Sequence, residues 1–298
     1  MMCPMGAHFM SKPLKRPTTF KEQAEILRSR NVLIDDTEFC TSFLSRVNYY
    51  RFTGYLLPYI HGSSGICTPP VEFIRLVQIY NFDTEIRNLI ALAVEKIEIY
   101  IRTQLAYRTA HLYGSDGYMH AQNFNRFHDH KKFMKKVETC ISENSKSPVV
   151  QHHNSVYGGS FPIWVIIDYF SLGMLSHYYA DLDNKVKKKI ATELYGVNYQ
   201  ILTSWLKCIT DLRNRCAHYS RLYYWKFPSI PALPKGAIFS TDRRLFTQLY
   251  MLKLLYPEPD RWNIDFILPL DRIIKQYEDS IDLAHIGFPD QWEHILSR

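Results

Sequence analysis

The segment Asp211-Leu212-Arg213-Asn214-Arg215-Cys216-Ala217-His218-Tyr219-Ser220-Arg221 holds the side chains best suited to chemistry on a phosphodiester. Histidine titrates near neutral pH. It can take a proton from a ribose 2′-hydroxyl or give one to a leaving 5′-oxygen. Arginine offers a planar fork of donors to the phosphate as negative charge builds in the transition state. Asparagine can fix the imidazole or hold a non-bridging oxygen. Arg213, Asn214 and His218 are therefore the candidate catalytic residues. This chemistry needs no metal or other cofactor, in keeping with a sequence that offers no carboxylate cluster at metal-ligand spacing.

Such groups act only if a rigid element presents them. At 100° per residue, Leu202, Trp205, Ile209, Leu212 and Cys216 form one narrow stripe that should face a core. Asn214 and His218, four apart, fall together on nearly the opposite side, with Arg213 on the flank. The periodicity predicts a helix from Asn198 to about Tyr223. Helical spacing also predicts helices over Glu22–Arg30 (opened by Thr19 as N-cap), Asp36–Val47, Tyr49–Ile60, Arg126–Ser142, Pro162–Ala180 and Lys185–Leu194. A long helix runs from about Val71 to Leu112, with Ile86, Ile90, Val94, Ile97, Ile101 and Leu105 on one stripe. Two-residue alternation is nowhere sustained, so the fold class is all-α. Pro228, Pro231 and Pro234 mark a linker before a C-terminal helical region at 235–298, and residues 1–10 read as an N-terminal extension.

Across 298 residues, 46% are hydrophobic, enough for a sizeable core and against a mostly disordered chain. No apolar run approaches the roughly 20 residues of a membrane helix, and no signal peptide opens the chain. These features predict a cytoplasmic protein with no membrane partner. The six cysteines form no C-x-x-C pair and read as reduced thiols. Residues 231–298 carry eight basic and ten acidic residues, while the first 230 carry 28 and 19, or +9. A basic body favours a polyanionic partner.

Arg213-Asn214-x-x-x-His218 resembles the R-x(4–6)-H motif of HEPN-fold ribonucleases, and its surroundings resemble the Abi (abortive-infection) family, AbiD/AbiF-like group. Three further segments carry the likeness: Lys12-Pro13-Leu14 through Leu27, Val47-Asn48-Tyr49-Tyr50-Arg51-Phe52-Thr53-Gly54-Tyr55, and Pro162-Ile163-Trp164 through Leu175. The resemblance spans about residues 11–227 by these motifs. It implies an HEPN-like helical bundle that cuts RNA without metal, leaving 2′,3′-cyclic phosphate and 5′-hydroxyl ends. It also implies paired motifs in a homodimer or an internal pseudo-dimer, a role as a growth-arresting toxin in phage defence, and in some members control by a non-coding RNA antitoxin. The alternative is a non-catalytic RNA-binding protein of a defence or toxin–antitoxin system.

An internal second half-site would draw on Glu98, Arg102 and His111. Arg102 and His111 lie too far apart for the motif and about 180° apart on a straight helix, whereas Glu98 and Arg102 are spaced for an ion pair. A homodimer bringing together two copies of His218 is therefore the favoured arrangement, with a supporting internal half-site as second choice. Lys131, Lys132, Lys135, Lys187, Lys188 and Arg221 are candidate phosphate contacts, set against plain solvation. His128, His130, His152 and His153 read as loop histidines without metal ligation, and Tyr49, Tyr50 and Tyr55 as packing residues.

Overall fold

The apolar stripe Ile86, Ile90, Val94, Ile97, Ile101 and Leu105 is buried along one side of α4 (Phe73–Tyr113), a helix of 41 residues. This is a computed structural model, and it describes residues 14–236 and 239–297. The extension expected at 1–10 lies outside the described residues. The described chain is all-α apart from a two-residue parallel pairing of β1 (Val32–Leu33) with β2 (Val71–Glu72). It divides into two compact units, Met1–Val77 and Gln78–Arg298, at the start of α4.

The first unit contains α1 (Phe20–Arg28), α2 (Thr37–Arg46) and α3 (Tyr49–Thr53), followed by a 3-10 turn over Gly54–Tyr59. Thr19 opens α1 with a full capping box: its hydroxyl accepts from the Glu22 amide, and the Glu22 carboxylate accepts from the Thr19 amide. Phe43, Phe52 and Phe73 pack edge-on or tilted with centroids 5.1–5.7 Å apart. Of the three tyrosines expected to pack, Tyr55 is buried but Tyr50 is 73% exposed.

In the second unit α4 is followed by α5 (His130–Glu143), α6 (Pro148–Val156), α7 (Ile163–Ile166), α8 (Leu172–Asp181), α9 (Asn184–Tyr195) and α10 (Tyr199–Ala217). The stripe Leu202, Trp205, Ile209, Leu212 and Cys216 is buried, as its spacing predicts. α10 lies against α8, where a Cβ on Gly173 would sit 3.5 Å from the Thr210 methyl, an ordinary contact.

Three helix expectations are corrected. The expected helix over Pro162–Ala180 is broken: α7 gives way to a 3-10 turn, Phe170 is extended, and Ser171 caps a new helix by accepting from the Met174 amide. The expected end near Tyr223 falls instead at Ala217, where His218 is the C-cap and Tyr219 turns left-handed with φ +55°. Tyr219 N–H then bonds Cys216 O at 3.0 Å and Ser220 N–H bonds Arg215 O at 2.9 Å, closing a Schellman turn. Helix α6, with Pro148 in its first turn, falls where no helix was expected and carries His152 and His153, which are therefore not loop residues.

The C-terminal region reads differently too. The sequence marks a linker at 228–234, yet α11 (Leu245–Leu255), α12 (Leu268–Gln276) and α13 (Trp292–Leu296) belong to the same compact unit as α4 and α10. Trp205 donates its indole N–H to Ala232 O at 2.6 Å, Tyr277 donates to Glu85 at 2.5 Å, and Lys96 pairs with Asp265 at 2.7 Å. Ala232, between Pro231 and Pro234, is thus bonded to α10 through Trp205 and Ser204. No described helix is long and apolar enough to cross a membrane.

Candidate functional site

The end of α10 presents the three motif residues on the outside of a buried stripe. Asn214 and His218 are exposed and Arg213 is half-buried. Arg213 spreads sideways: its Nη1 donates to Asn214 Oδ1 at 3.3 Å, and its Nε lies 3.6 Å from Glu98 Oε2 on α4. Glu98 in turn accepts from Arg102 at 2.9 Å. Arg213, Glu98 and Arg102 line a cleft of about 430 Å³ between α4 and α10, together with Arg87, Glu95, Ile99 and Tyr219; Asn214 does not line it. His218 stands at its edge on the helix cap and does not line it.

The turn that sets the His218 position is held from beneath. Asp83, on α4 and fully buried, accepts from the amides of Tyr223 at 2.7 Å and Leu222 at 3.0 Å, and it pairs with buried Arg87. Two backbone donors and a guanidinium thus satisfy one buried carboxylate. Arg215 stacks on Trp225 at 3.6 Å and donates to Arg221 O at 2.7 Å, so the motif's second arginine builds the loop. Burial pushes the Cys216 thiol up to about 12, so this cysteine stays a neutral packing residue.

Arg213, Asn214 and His218 all fall at the outward end of α10, and the structure adds two partnerships that spacing did not give. The Asn214 carboxamide engages Arg213, and the link from Asn214 to His218 runs through the backbone, from His218 N–H to Asn214 O at 3.0 Å. Glu98 and Arg102 form the expected ion pair, yet Glu98 also reaches Arg213. Arg102 also donates to Ile167 O at 3.2 Å and Phe170 O at 2.9 Å, at the break before α8. His111 lies 9 residues beyond Arg102 and 13 beyond Glu98 on α4, about 20 Å from Glu98 by helix rise. It bonds Tyr107 O at 2.7 Å, so the structure separates it from the other two.

The basic candidates also divide. Lys131, Lys132, Lys135 and Lys188 are exposed. Lys187 is corrected: it is buried, donates to Ala180 O at 2.7 Å, and burial lowers its pKa, so it offers no phosphate contact. Arg221 is half-buried and donates to Tyr223 O. His128 is a buried group with a carboxylate partner, Asp181 Oδ2 at 2.9 Å, and it also meets His130 at 3.2 Å.

An all-helical chain with this arginine–asparagine–histidine set at a helix cap can now be compared with known proteins. Residues 42–224, more than half of the chain, match the family described as Abi-like protein, and the chain belongs to that family. The match contains the tyrosine-rich segment, the region from Pro162 to Leu175 and the motif at 213–218, but begins after the segment from Lys12 to Leu27. No curated protein and no solved structure matches it.

Proposed function

We propose that this protein is an HEPN-type endoribonuclease of the AbiD/AbiF kind that acts as a growth-arresting toxin in phage defence and needs no metal. The observation that carries the reading is half-buried Arg213 with exposed Asn214 and His218, beside a cleft in which Glu98 steadies the arginine. The 2′-oxygen of one nucleotide bonds to the adjacent phosphorus while the bond to the 5′-oxygen breaks. His218 accepts the proton of the 2′-hydroxyl. Arg213 faces the non-bridging oxygens as charge accumulates, and Asn214 fixes the guanidinium through its carbonyl oxygen. The products are a 2′,3′-cyclic phosphate and a 5′-hydroxyl.

In-line displacement puts the attacking and leaving oxygens on opposite sides of phosphorus, so one imidazole cannot serve both at once. A homodimer supplies the second: His218 of another copy, protonated, gives its proton to the 5′-oxygen. Ile99 and Tyr219 support this arrangement, being 54% and 70% exposed on the cleft lining, where a second copy would cover them. A non-coding RNA antitoxin would mask the same cleft.

The test is to incubate wild type and His218→Ala with total bacterial RNA in EDTA and map the new ends. Cyclic-phosphate ends with wild type alone are expected. RNA retained by both proteins without new ends would replace the nuclease with an RNA-binding protein.

A further inference from the structure

The first unit holds a cavity of about 780 Å³, within the range of small-ligand sites. Its lining combines three chemistries. Lys15, Arg16 and Arg30 supply positive charge, and Phe20 and Tyr50 supply exposed rings. Two polar atoms are buried without a hydrogen-bond partner among the described residues: the Tyr49 hydroxyl and the Gln23 carbonyl oxygen. Gln23 already spends its amide nitrogen on Thr18, so the open atom is an acceptor; Tyr49 offers a donor.

Arg16 is paired with Glu22, but Arg30 is half-buried beside Tyr49 and has no carboxylate partner among the described residues. A half-buried guanidinium without a carboxylate and two buried polar atoms without partners meet in one cavity, and a ligand that supplies their counterparts would satisfy all three. That ligand needs an anion for Arg30 and Lys15, a flat face for the rings, and both a donor and an acceptor on its edge.

We propose that this cavity binds a nucleotide, its phosphate on Arg30 and Lys15 and its base against Phe20 or Tyr50, with Gln23 and Tyr49 reading the base or ribose. Phosphate recognition by arginine and base stacking on exposed rings are the interactions that ordinarily hold single nucleotides. The source is a free 5′-mononucleotide or the 5′-phosphorylated end of an RNA strand. The site lies wholly within the first unit and does not depend on the reading of the Arg213–His218 cleft.

The test is titration of the full-length protein with each of the four 5′-mononucleotides and with 5′-phosphorylated and 5′-hydroxyl 2′-O-methyl tetranucleotides, followed by calorimetry. Saturable binding is expected, weakened about ten-fold in Arg30→Gln for loss of a charge-assisted contact. Tyr49→Phe should weaken it several-fold without lowering the melting temperature, because it removes a hydroxyl that has no partner among the described residues. Mononucleotides that match the phosphorylated strand assign the site to a free nucleotide. Binding by that strand alone, lost with a 5′-hydroxyl, assigns it to an RNA end. No saturation by any probe up to millimolar concentration, or affinities unchanged in both variants, overturns the proposal.

Discussion

Glu98 joins two arginines that the chain separates by 111 positions: its Oε1 accepts from Arg102 at 2.9 Å and its Oε2 lies 3.6 Å from Arg213 Nε. Arg102 is itself pinned to two backbone carbonyls, so Glu98 is held on one side and holds Arg213 on the other. Glu98→Gln keeps an oxygen for Arg102 and removes the charge facing Arg213. The freed guanidinium can still attract RNA, but it no longer waits in one geometry. The expected result is a cleavage rate about 10- to 100-fold lower at saturating RNA, with KM no higher than wild type. Single-turnover and steady-state kinetics on one RNA check both halves of that expectation.

His218→Ala should remove cleavage and leave stability within about 0.5 kcal/mol of wild type, as for other exposed substitutions. The imidazole is exposed, and its C-cap role is carried by its own backbone N–H, which alanine retains. Urea denaturation of both proteins beside the RNA assay separates a lost catalyst from a lost fold.

Asp83→Ala addresses the support beneath the site. It removes the carboxylate that buried Arg87 pairs with and that the amides of Leu222 and Tyr223 share. Breaking a buried pair in this way costs about 3–5 kcal/mol. The expected outcome is a large fall in the denaturation midpoint, smaller for Asp83→Asn, which keeps an acceptor oxygen for the two amides.

The buried faces were legible because local periodicity encodes them: the stripes Ile86–Leu105 and Leu202–Cys216 are buried where spacing puts them. The placing of Asn214 and His218 on the outward side, with Arg213 on the flank, followed from the same arithmetic. Contacts decided by distant chain were not legible. Asp83 acts on residues 139 and 140 positions away, and nothing near Tyr219 announces a left-handed turn, since glycine is the usual signal. Lys187 sits in a basic run that reads as a solvated face, yet its position on α9 turns it inward onto Ala180. The break at Phe170 was signalled only by Ser171, a capping residue inside an otherwise apolar helical pattern.

The C-terminal region has its own pH signature. Asp265 accepts from Lys96 at 2.7 Å, from Tyr256 at 2.8 Å and from Arg261 at 2.9 Å, and chiefly the Lys96 bond lowers its carboxyl to about 2 from an ordinary 3.8. A depressed folded-state value means the contribution is fully present above the unfolded value. It is lost as pH falls from about 4 through about 2. Because Lys96 and Arg261 are about half exposed, solvent screening limits the effect to about 1 kcal/mol. Asp265→Asn should flatten that part of the stability–pH curve and change nothing in its slope above pH 5.

Tyr219 combines two properties that usually exclude one another. Its φ of +55° costs a side-chain-bearing residue about 1–2 kcal/mol, and its ring is exposed on the lining of the cleft. Glycine at this Schellman position relieves the strain but raises the entropy of the unfolded chain by about 0.5–1 kcal/mol. The balance predicts that Tyr219→Gly is more stable than wild type by about 0.5–1 kcal/mol. The same variant removes the ring beside Arg213, where it would bear on a base or on a second copy, and cleavage should slow several-fold. Gained stability with slowed cleavage would place Tyr219 among residues kept for function at a cost to the fold. Faster or unchanged cleavage in a stabilised variant would instead leave the ring with no part in RNA cutting and confine the working set to Arg213, Asn214, His218 and Glu98.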